Sequence, residues 1–97
     1  MSRSLHPGAE QDLAEAARFY RQEGGSKLAM RFLDEFVRIV EVLERFPALG
    51  APTADERRAC SLQGFPYSVI YRHVGGGIRI LVVRHHSRDP SHGAHRL

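Results

Sequence analysis

Between Phe65 and Pro90 apolar and polar positions alternate with a period of two. Tyr67, Val69 and Tyr71 stand against Ser68, Ile70 and Arg72. After Gly75-Gly76-Gly77, Ile78, Ile80 and Val82 stand against Arg79, Leu81 and Val83. β-Branched and aromatic residues at that period, joined by glycines that can adopt positive φ, predict a β-hairpin at the centre of a small sheet. Past the second strand the apolar run gives way to Arg84, His85, His86 and Arg88. This polar exit is the first place to look for function.

The first half of the chain changes period. Ala9, Leu13, Ala16, Ala17 and Tyr20 trace a helical stripe, with Pro7 suited to the first turn and Gly24-Gly25 as the stop. Glu10 and Asp12 near its start, and Arg18 and Arg21 near its end, agree with the helix dipole. Ser26 can cap a second helix whose face runs Leu28, Phe32, Phe36, Ile39, Val40 and Leu43 before Pro47 stops it. Two helices joined by Gly-Gly-Ser predict an antiparallel hairpin. Ser2–His6 is short enough to be uncommitted on its own, an edge strand ended by Pro7. FPALGAP (46–52) reads as a turn-rich connection, and Ala59–Leu62 as a short strand turning at Gln63-Gly64. The predicted fold class is α+β, a helical hairpin packed on a small antiparallel sheet in the order β-α-α-β-β-β. Residues 1–90 are expected to form a single domain and residues 91–97 a loose tail.

Composition adds charge to this frame. The chain has 97 residues, a net charge of +3 and a pI near 9.6, and Lys27 is its only lysine. Arginine presents a planar fork of donors suited to phosphate and carboxylate, so acidic partners, nucleic acid or an acidic protein segment, are one reading. Solvated helix surface is the other. The lone Cys60 excludes an internal disulfide and a Cys-rich zinc site, and is expected to be a small buried apolar residue. With no apolar stretch of signal-peptide or membrane-spanning length, a cytoplasmic location is expected.

The six histidines match no metal-binding spacing, and neighbours His85 and His86 point to opposite faces of a strand, so no metal and no cofactor is expected. One of this pair should share a face with Arg72 or Arg84. Imidazole beside guanidinium suits metal-independent RNA cleavage: a base takes the ribose 2′-OH proton, an acid protonates the leaving oxygen, and arginine stabilises the phosphorane. His85 would be the acid, Glu56 the base, and Arg72 a phosphate contact. The competing reading makes Arg57, Arg58, Arg72, Arg84, His85, His86 and Arg88 a polar rim that binds a partner. The glycine run is not a phosphate loop, because it lies between antiparallel strands with no helix after it.

The pieces HPGAEQDL, RFLDEF, FPALG, GFPYSVIYR, the Gly-rich turn and IRILVVRHHSRDP, in this order, resemble the RelE/ParE superfamily of toxins from bacterial type II toxin–antitoxin systems. The resemblance covers nearly the whole chain. It implies a compact β-α-α-β-β-β domain with Ser2–His6 as first strand. It also implies a cognate antitoxin, often acidic, whose extended segment wraps and neutralises the toxin. Members divide by target: RelE-like proteins cut mRNA on the ribosome and ParE-like proteins poison DNA gyrase. Nuclease members commonly carry an arginine on the middle strand, where this chain has Ser68, and lysines or an acidic base ahead of the second strand, where it has Asp55, Glu56, Arg57 and Arg58. The SRDP ending is closer to ParE-like, plasmid-stabilisation members. The resemblance thus implies a gyrase-directed, growth-arresting toxin. A ribosome-dependent mRNA endonuclease is the alternative, and an inactive homologue that retains antitoxin binding is a third reading.

Overall fold

Strand β1 (Ser2–Leu5) opens the fold in the computed structural model, which describes residues 2–97. A helical segment, α1 (Pro7–Arg45), follows. His6 caps it, its Nδ1 accepting the Gly8 N–H at 2.9 Å, and Pro7 takes the first position, where no N–H is needed. A straight helix of these 39 residues would be about 58 Å long at 1.5 Å per residue. The protein's greatest extent is 37 Å. The segment fits because it folds back at Gly25, whose φ of 83° and ψ of −176° suit glycine and strain any other residue. Its two halves form the expected hairpin: Ala14, Ala17 and Arg18 from one and Ser26, Ala29 and Met30 from the other line a single shallow cleft.

The remaining strands are β2 (Ala51–Pro52), β3 (Arg58–Ser61), β4 (Tyr67–Val74) and β5 (Gly77–His85), in the spatial order β1-β5-β4-β3-β2. The α+β architecture is the expected one, but the sheet is mixed, not antiparallel throughout. β1 runs parallel to β5, pairing Ser2 with Gly77 through Leu5 with Ile80. The chain joins these strands only through the helices and the rest of the sheet, so no tight turn forces them antiparallel. Ala51 and Pro52, read as part of a turn, add a two-residue edge strand where proline's missing donor is tolerated.

The β4–β5 register shifts at Ile70/Tyr71, which face Val82 and Ile80 and leave Leu81 as an extra residue. This bulge inverts the alternation read from the sequence. Ile78, Ile80 and Val83 face the helices with Tyr67, Val69 and Tyr71, while Ile70, Leu81 and Val82 form a small second cluster on the outer face. The bulge also turns His85 toward the helices and Arg84 outward.

The main core packs Phe32, Phe36, Val40 and Leu43 of α1 against the inner face of the sheet. Phe32 is its hub, with ring centroids 5.2 Å from Tyr20 and 5.3 Å from both Phe65 and Tyr67. Each such side chain contributes about 1.5–3 kcal/mol on burial. Residues 91–97, expected to be loose, make defined contacts in the structure. Gly93 lies on the outer cluster with φ 79°, so close that a Cβ there would stand 2.5 Å from Val82 Cγ2. Arg57 holds this segment by donating to the carbonyls of Gly93 and Ala94 at 3.0 Å, and to that of Arg96.

Candidate functional site

At the hairpin exit, cross-strand pairing sets Ser61, Ser68 and Arg84 side by side on the outer face. His86, just past β5, reaches the same row: its Nε2 lies 3.0 Å from Ser68 Oγ, which is 3.3 Å from Ser61 Oγ. The histidine that shares a face with Arg84 is therefore His86. His85 stacks edge-on against Tyr67 at 5.0 Å on the helix side, and its Nδ1 accepts the Ser87 N–H at 3.0 Å.

The proposed acid–base pair is not brought together. Glu56 sits with Asp55 in a turn where both have positive φ (59° and 61°), one residue before the buried Arg57. That turn precedes Arg58, which pairs with Tyr71, whereas His85 pairs with Tyr67. Four residues at about 3.3 Å each put roughly 13 Å between these points along the strands, and Glu56 lies beyond. An acid and a base serving one phosphate must both come within hydrogen-bond reach of it.

The arginines divide in the same way. Arg57, 8% exposed, is spent on tail carbonyls. Its buried guanidinium is desolvated and lies near Arg72, which together hold its pKa below the usual value. Arg58 donates to the carbonyls of Ala48 and Gly50 at 3.2 and 2.8 Å, bracing the FPALG turn. Arg72 donates to Asp55 O at 3.1 Å and Arg84 to Pro90 O at 3.2 Å, both from half-buried positions. Arg88 is exposed and lines a cleft with Glu15, Phe19, Tyr67 and His85. Burial pushes the Cys60 thiol pKa up, the direction that keeps it protonated. Among the described residues, no three His, Cys, Asp or Glu side chains are grouped to hold a metal ion.

One charged cluster escaped the sequence reading. Asp12, 7% exposed, accepts from the Val83 N–H at 3.1 Å and from Arg96 Nη1 at 2.7 Å, and lies 3.0 Å from His92 Nε2. Burial acts to raise its pKa, but the hydrogen bonds from Arg96, His92 and the Val83 amide outweigh it and leave the carboxyl below its usual value. The signal was present: Asp12 falls three residues after Ala9 and four before Ala16, on the stripe that faces the core.

A helical hairpin on a five-stranded mixed sheet, with arginine and histidine at the exit of its central hairpin, is the architecture of a RelE/ParE-type toxin domain. The family model described as ParE toxin of type II toxin-antitoxin system, parDE, matches residues 4–90. The chain belongs to this family. Among solved structures it is similar to one titled "Chromosomal ParDE TA system from P. aeruginosa", with a TM-score of 0.78 and 25% identity over 88% of this chain and 95% of that one. No curated protein matches it.

Proposed function

We propose that this protein is the toxin of a ParDE-type module: a cytoplasmic protein neutralised by a cognate antitoxin, whose free form arrests growth by acting on DNA gyrase. What carries this reading over mRNA cleavage is the separation of His85 from Glu56. A catalytic acid and base on opposite sides of one phosphate cannot be built from these two side chains as they stand. Ser68 compounds this, because a hydroxyl at the mid-strand position cannot stabilise phosphorane charge as a guanidinium does. Arg57 serves three backbone carbonyls and Arg58 two, whereas Arg72 and Arg84 each serve one and Arg88 is exposed, so Arg84, His86 and Arg88, with Arg72 behind them, are the surface for antitoxin or target.

Induced expression in a bacterial host, with mRNA ends and gyrase-dependent DNA breaks mapped from the same cultures, tests this. Growth arrest with DNA breaks is expected. Codon-positioned mRNA cuts would instead establish the endonuclease reading, and normal growth would establish an inactive homologue.

A further inference from the structure

Between the outer face of the sheet and the C-terminal segment lies a cleft of about 290 Å³. Ile70 and Val82 of the sheet line it, with Arg57 on one side, Pro90 and His92 on the other, and Arg84 of β5 between them. Three guanidinium groups gather here. Arg57 and Arg84 border the cleft, and Arg72 stands on the same face of β4, two residues past Ile70, close enough to Arg57 to oppose its charge. The nearby Arg96 and His92 share the carboxylate of Asp12. The other three have no such partner: among the described residues no carboxylate lies within ion-pair distance of Arg57, Arg72 or Arg84. Asp55, the one carboxylate bordering the cleft, is exposed.

What the three arginines do contact is neutral. Arg57 donates to the carbonyls of Gly93, Ala94 and Arg96, Arg72 to that of Asp55, and Arg84 to that of Pro90. The Nε atoms of Arg57 and Arg72 are buried and, among the described residues, have no acceptor. Burying a charge without an opposite charge beside it is strongly unfavourable. A buried lysine or histidine escapes by losing its proton, but a guanidinium keeps its charge. Compensation at Arg57, only 8% exposed, therefore has to come from an anion.

We propose that this cleft binds a small oxyanion of the phosphate class, which bridges Arg57 and Arg84 and clamps the C-terminal segment onto the sheet. Guanidinium forks match the oxygens of such an ion, and the excess of positive charge around the cleft suits a dianion. The cleft has room for the ion with part of its hydration shell. A polynucleotide or polypeptide chain would have to lift residues 90–94 to enter, whereas a free ion would not. The same two arginines hold the segment through Pro90, Gly93 and Ala94, so occupancy of the cleft and order in the segment are coupled. The clamp does not depend on which target the toxin acts on.

The test titrates the full chain with inorganic phosphate at constant ionic strength, chloride making up the balance. Binding is followed by phosphorus NMR line width, and amide exchange is measured across residues 91–97. Saturable binding is expected, with exchange at Gly93 and Ala94 slowing as it proceeds. Arg84→Met, at a half-buried position and shown to be folded by circular dichroism, should weaken binding about tenfold or more, and Arg84→Lys should restore part of it. A response that never saturates, or that is the same in Arg84→Met, would be a general salt effect and would overturn the site. Saturable binding with exchange in 91–97 unchanged would overturn the clamp. Binding of a single-stranded oligonucleotide without binding of inorganic phosphate would overturn the small ion in favour of a nucleic-acid surface.

Discussion

Asp12→Asn removes one charge from the contact that ties helix, sheet and tail together. The carboxylate is 6% exposed and its partners Arg96 and His92 are 12% and 19% exposed. Asparagine can still accept the Val83 N–H, but it sets an amide against Arg96 in place of an opposite charge. Hydrogen bonds to charged groups contribute about 1.5–3 kcal/mol each, and breaking a buried pair costs about 3–5 kcal/mol. Arg96 keeps Leu81 O as an acceptor, so a loss of about 3 kcal/mol is expected. For a domain of this size that is a fall in Tm of about 12–24 °C. Urea unfolding followed by far-UV circular dichroism gives the loss as a shift in midpoint at constant slope. Pairing Asp12→Asn with Arg96→Met in a double-mutant cycle isolates the coupling between the two. The pH dependence has a definite sign. Asp12 is depressed in the folded state, so its contribution is fully present above its unfolded value of 3.8 and is lost as pH falls below it through the folded value. The gap between wild type and variant should therefore close in acid. A loss below about 1 kcal/mol at neutral pH, with no coupling to Arg96, would refute the role given to this cluster.

Three further outcomes are expected. Gly93→Ala meets both positive φ and Val82 Cγ2 at 2.5 Å and should cost about 2 kcal/mol or more, whereas Gly76→Ala, with nothing within 4 Å, should be close to neutral in the same urea assay. Tyr71→Phe removes a hydroxyl that donates to Pro47 O at 2.7 Å and accepts from Gly50 N at 3.0 Å. A loss of about 2 kcal/mol is expected, with faster proteolysis in the 46–50 turn. His85→Ala should leave growth arrest within about tenfold of wild type, and a loss of about 10² accompanied by loss of mRNA cutting would restore acid–base catalysis at this residue.

Local pattern determined most of the fold. The helical stripes, the Gly24-Gly25 stop and the period-two hairpin around Gly75–Gly77 place the helical hairpin and strands β3 to β5 within a few residues of their observed positions, because each rests on contacts between neighbours in the chain, whereas Ser2–His6 is named as a first strand only through the family resemblance. The order of motifs, RFLDEF, FPALG and GFPYSVIYR among them, also pointed to the toxin family. Three features required the tertiary structure. The extra residue at Leu81 depends on how two strands align, and it decided that Arg84 and His86, which the period of two already sets on one face, take the outer face with Ser68 while His85 faces the helices. The parallel pairing of β1 with β5 joins residues 75 positions apart, a relation that no local period encodes. The ion pair of Asp12 with Arg96 spans 84 positions, and it makes the C-terminal tail part of the packed fold. Net charge marked this protein as basic. Which arginines are free to bind was decided by the carbonyls and carboxylates that folding brought to the others.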